Sequence, residues 1–144
     1  MEFAFNRPLH RADDSYPHQP PGGVPYLRIL YIALAGVAGT LARYGLDGLV
    51  QGRAGTLTVN LTGSLALGFI VRYATGSIVI SPDLRAALTI GFCGAFTTMS
   101  TFSYESMALL WNGDYGRAGL YMGATIVGCL LAVALGTALA NKLL

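Results

Sequence analysis

Five hydroxyl side chains crowd seven consecutive positions of this chain, Thr97, Thr98, Ser100, Thr101 and Ser103, in a stretch otherwise apolar. Gly91 and Gly94 stand just before them and Glu105 just after. Single hydroxyls in a helix bond back to the preceding turn's carbonyls, so some are simply tolerated. Five together point instead to a helix broken at this place. A break frees main-chain N–H and C=O groups, which at membrane depth persist only where they bind something or line a cavity. Freed carbonyls suit a cation; freed N–H groups and hydroxyl donors suit an anion.

A second polar row precedes it. Thr56, Asn60 and Ser64 share a helical face at every fourth position, with Thr58 and Thr62 nearby. Asn60 has two donors and an acceptor to satisfy, either across a helix interface or along a polar pathway. Arg43 and Glu105 are the ionisable residues nearest membrane depth. They either serve the bundle interior or a wet vestibule, or they snorkel to an interface. Cys93 and Cys129 read as small packing residues, since no Cys-x-x-Cys spacing or histidine cluster accompanies them. No nucleophile–base pair, phosphate loop or metal-ligand spacing is present, and no basic run marks a nucleic-acid binder. The chain is expected not to be an enzyme.

The elements carrying these residues follow from where charge is missing. Charged residues make up 11% of the chain, against roughly 25% in soluble proteins. Residues 29–42, 55–71, 86–104 and 118–141 contain no Asp, Glu, Lys or Arg. Crossing a hydrocarbon core takes about 20 helical residues. The last two runs are long enough outright; the first two are if Arg28, Arg43 and Arg72 lie at or near interfaces. The reading is an all-α membrane protein of four transmembrane helices at 27–50, 55–73, 83–111 and 115–143, the third broken near its middle. Residues 27–144 form one domain, joined by short loops. Residues 1–26, with Pro8, Pro17, Pro20, Pro21 and Pro25, form a flexible tail with no apolar stretch of signal-peptide length.

Four helices fill their own axis with side chains, so a wet pathway calls for a second copy. Small residues recur along the last helix at Ala124, Gly128, Ala132, Gly136 and Ala140. Such a stripe allows close backbone approach, within one subunit or between two. Near the spans, Arg28, Arg72, Arg85 and Lys142 lie on one side and Arg43, Arg53 and Arg117 on the other. So even a balance orients the chain weakly, which favours insertion both ways round and an antiparallel dimer.

Three stretches in this order, Leu41-Ala42-Arg43-Tyr44-Gly45-Leu46, Gly55 to Ser64, and Gly91-Phe92-Cys93-Gly94 through Glu105, resemble the signature segments of the Fluc/CrcB fluoride-channel family. The resemblance runs from about Leu27 to the C-terminus. It implies a dual-topology homodimer in the inner or plasma membrane, with two pores passing fluoride out of the cytoplasm down its gradient and protecting the cell. It also implies a structural Na+ at the dimer centre, held by the main-chain carbonyls of Gly94 and Thr97. By motif position the fluoride path falls on Asn60, Met99, Ser100, Thr101, Phe102 and Thr125, and a vestibule on Arg43, Thr56 and Glu105. Met99 departs from the family pattern, which has phenylalanine there. A ring edge is positive and favours an anion; a thioether chain offers only polarised methyl hydrogens. The alternative is a small dual-topology multidrug-type exporter, but those depend on a first-helix glutamate that this chain lacks.

Overall fold

The computed structural model describes residues 26–76 and 80–144, and among these every element is helical. The tail expected at 1–26 lies outside the described residues except for Tyr26, which already belongs to the first helix. Helix α1 spans Tyr26–Leu49 and α2 spans Arg53–Gly76. A tight turn joins them at Gly52, whose φ of 69° is a left-handed conformation that glycine adopts without strain. After the loop, Ser81 caps α3 (Pro82–Ala86) by accepting the Leu84 N–H, with proline in the first turn. The chain continues through a π-helical stretch, Ala87–Cys93, into one turn of α4 (Gly94–Phe96). It then leaves the helix. Thr97 and Thr98 are extended, with ψ of 160° and 107°, before α5 (Met99–Trp111) resumes. Gly113, at φ 74°, turns the chain into α6 (Tyr115–Asn141).

Three helices, α1, α2 and α6, are long and apolar enough to cross a membrane. The expected third span is not one helix but several pieces, of which α5 is the longest at 13 residues. The surface is turned inside out relative to a water-soluble fold. Leu34, Leu41, Leu120, Leu130 and Leu131 are exposed, while Thr56, Asn60, Thr98, Ser106 and Thr125 are buried. In water the exposed leucines would be costly; in lipid they and the hydrogen-bonded buried polar groups form the stable arrangement.

Glycines set the close contacts. A Cβ on Gly68 would strike the Val133 backbone, and one on Gly136 the Leu65 backbone, so α2 and α6 pack main chain to main chain. The small-residue stripe of α6 is therefore used, at Gly128 and Gly136, inside the chain. On the other side, Gly39 of α1 abuts the Phe92 peptide, and Gly91 abuts Ile32 and Ala35. This holds the π-helical stretch against α1. At one end of the bundle, Arg28 Nε donates to Asp83 at 2.6 Å and Arg72 Nε to Asn141 at 2.5 Å.

Candidate functional site

The break between α4 and α5 leaves the Thr98 peptide without helical partners, and α2 supplies them. Asn60 Nδ2 donates to the Thr98 carbonyl at 3.1 Å, and the Thr98 N–H donates to Asn60 Oδ1 at 2.8 Å. The amide stands in for the turn of helix that is missing. Gly63, three residues on, brings α2 close enough: a Cβ there would collide with the Thr97 methyl and crowd the Phe96 ring. The Thr97 carbonyl, also released by the break, accepts a long hydrogen bond of 3.4 Å from Arg43 Nη1.

The hydroxyl cluster divides into separate tasks. Thr98 caps α5, its Oγ1 accepting from the Thr101 N–H at 3.2 Å while donating to Thr101 Oγ1 at 2.9 Å. Ser100 Oγ lies 3.3 Å from the same Thr98 oxygen. Thr97 and Ser103 bond back to Cys93 and Met99 carbonyls. Ser100 and Thr101, expected on the pathway, are thus drawn to the capping threonine. The seven-residue count could not separate capping hydroxyls from those facing a cavity.

Beside the break lies an open groove of about 410 Å³. Asn60, Gly94, Thr97, Met99, Phe102 and Thr125 all line it, so six of the singled-out residues converge although they come from different elements. Phe102 is 5% exposed and packs on Tyr121 with ring centroids 5.4 Å apart, whereas Met99 at 69% stands at the rim. Leu67, Ile126, Leu130 and Val133 give the remaining wall its apolar stretch, and Ser64 of the α2 polar row and Thr89 interrupt it. Its threonine donors are engaged at rest: Thr89, Thr97 and Thr125 donate to the Arg85, Cys93 and Tyr121 carbonyls.

Of Arg43, Thr56 and Glu105, grouped in sequence as a vestibule, the last two lie together at the Tyr121 hydroxyl and the first stands apart. Arg43 attends the break. Glu105 instead accepts from the Tyr121 hydroxyl at 2.6 Å, a short charge-assisted bond. Thr56 is buried and does not line the groove. Tyr121 escaped the sequence reading because a tyrosine in an apolar helix reads as an interface residue. The available signal was its position four residues before Thr125, on the same face.

Among the described residues no three His, Cys, Asp or Glu side chains gather to hold a metal. A cation at the break would have main-chain and hydroxyl oxygens to use. Thr97's carbonyl keeps a lone pair beyond the one facing Arg43, and Gly94 is exposed.

Residues 30–137 match the family model described as CrcB-like protein, Camphor Resistance (CrcB). The chain is 45% identical to the fluoride-specific ion channel FluC of Nitratidesulfovibrio vulgaris, over 76% of this chain and 95% of that protein. It is 46% identical to FluC of Pelobacter propionicus, over 80% of this chain and 94% of the relative. For FluC of Geobacter sulfurreducens the identity is 44%, over 80% and 98%.

Proposed function

The chain belongs to the CrcB family, and from that premise we infer that it is a fluoride-specific ion channel, a multi-pass protein of the inner membrane. The observation that carries the reading is the groove beside the broken helix, where a buried amide holds the freed peptide and hydroxyls line an otherwise apolar wall. Fluoride is small and strongly hydrated, so a path for it must replace water with donors. Thr97 and Thr125 can do so by rotating away from their own carbonyls, exchanging one hydrogen bond for another. The apolar wall and the ring edge of Phe102 offer nothing to a cation and a weakly positive surface to an anion.

We further propose that the 82–111 segment completes a fourth crossing and that the working unit is an antiparallel homodimer. The groove is open on one side, and a second copy would wall it. The near balance of positive charge across the spans supports insertion in both directions. The Gly94 and Thr97 main-chain oxygens of two copies fit a structural Na+, which would supply a fixed positive charge tying the interrupted segments together.

Liposomes loaded with potassium fluoride or potassium chloride and opened with valinomycin test the function. Fluoride efflux far above protein-free vesicles, with chloride at background, is the expected result. Equal efflux of both halides, or none of fluoride, would overturn it.

A further inference from the structure

Three sulfur atoms line the groove, and neither thiol is used by the conduction scheme. Cys93 closes the π-helical stretch, Met99 opens α5 and Cys129 lies midway along α6, so the three come from different elements. Both thiols are free. Cys93 forms part of the floor at 2% exposure, Cys129 is half-buried, and Met99 at the rim is largely exposed. No carboxylate lines the groove, and its amide and threonine donors are engaged with main-chain carbonyls. Thiolate and thioether ligands select soft metal ions over hard ones.

We propose that this groove is a binding site for a thiophilic metal ion such as Hg(II), held by Cys93 and Cys129 with Met99 as the outer ligand. Two S–H bonds give up their protons to solvent and two sulfur–mercury bonds form, with no change of oxidation state. Binding therefore strengthens as pH rises, because the thiolates are the ligands. An ion lodged there occupies the space through which fluoride passes, an effect that rests on the conduction reading above; the site itself does not.

The chain has only these two cysteines, so thiol chemistry reads this site alone. Purified protein is titrated with mercuric ion and its remaining thiols are counted with a maleimide. Denaturing mass spectrometry then locates the metal. One equivalent per chain should protect both thiols, with mercury retained on single chains, and Met99→Phe should raise the amount of metal required. If each thiol consumes its own equivalent, or if mercury links two chains, the proposal is overturned. In liposomes, mercuric ion should slow fluoride efflux by wild-type protein and leave the rate of Cys93→Ala/Cys129→Ala, whatever it is, unchanged. Protection of both thiols with undiminished wild-type efflux would keep the metal site and remove the groove from the pathway.

Discussion

Asn60 and the Thr98 peptide form a closed pair: the side-chain amide donates to the carbonyl at 3.1 Å and accepts from the N–H at 2.8 Å. With Asn60 only 7% exposed, neither bond can be replaced cheaply by water. The pair makes the broken helix a fixed feature rather than a frayed one, and joins the polar row of α2 to the groove.

Replacing Asn60 should therefore damage both structure and flux. Asn60→Ser is too short to reach either group, leaving a buried peptide unpaired at a cost of about 1–3 kcal/mol. Asn60→Asp keeps the acceptor for the Thr98 N–H but sets a negative charge beside the Thr98 carbonyl and in an anion's path. Fluoride efflux should fall in both and further in Asp. Wild-type efflux through Asn60→Asp would show that the residue does not border the pathway.

Gly63→Ala tests the same contact from the opposite side. The added methyl would meet Thr97 and Phe96, pushing the break off α2 and lengthening the Asn60–Thr98 bonds. Efflux per folded protein should drop steeply. Gly119→Ala and Gly123→Ala, where a Cβ meets nothing within 4 Å, should be silent. Equal behaviour of the three would mean the close approach at Gly63 has no functional consequence.

The interruption was legible in the sequence because polarity in the middle of an apolar run has few explanations. Which hydroxyl does what was not. Ser100 and Thr101 differ from Thr97 only in which side of the break they fall on, and that depends on where the helix restarts. Partners across the fold were also hidden: Asn60 and Thr98 stand 38 residues apart, and nothing local to Glu105 names Tyr121. The two cysteines read as packing residues one at a time. Their common groove appears only in the fold, where α2 packs against both α6 and the π-helical stretch.

The Tyr121–Glu105 bond yields a prediction about charge. Tyr121→Phe removes the donor and leaves the carboxylate seeking another, a loss of roughly 1.5–3 kcal/mol for a hydrogen bond to a charged group. Efflux should fall, since a freed negative charge near the groove repels an anion. Glu105→Gln removes that charge, so adding it to Tyr121→Phe should recover part of the loss. A double variant worse than Tyr121→Phe by the full effect of Glu105→Gln alone would show that the two residues act independently.

If the protein inserts both ways round, each loop should be found on both sides of the membrane. In a Cys93→Ala/Cys129→Ala background, a single cysteine placed at 112–114, or in the N-terminal tail, should divide into two populations with an impermeant maleimide. A single protected or single accessible population would exclude dual topology.

Met99 and Phe102 share a face of α5 three residues apart, yet their surroundings differ sharply. Phe102 is wedged against Tyr121 in the bundle, and Met99 projects at the groove rim. Phe102→Ile removes the ring edge from the groove and leaves a gap beside Tyr121. Its stability cost should be roughly 1–2 kcal/mol, less than the ~3–5 kcal/mol of truncation to alanine. Met99→Ile removes only a flexible thioether from an open position and should cost almost nothing in the isolated chain. For flux the quadrupole decides: an anion loses a positive edge in the first variant and a soft chain in the second. Phe102→Ile should therefore slow fluoride efflux more than Met99→Ile, with rates normalised to dimer recovered by size exclusion. Met99→Phe restores the family's aromatic pair and should remain active. Were Met99 instead a contact with the second copy, its variants would change dimer recovery and leave flux per dimer untouched. Equal losses in the two isoleucine variants would remove the ring edge from the explanation, and an inactive yet dimeric Met99→Phe would make the methionine a specific requirement of this chain.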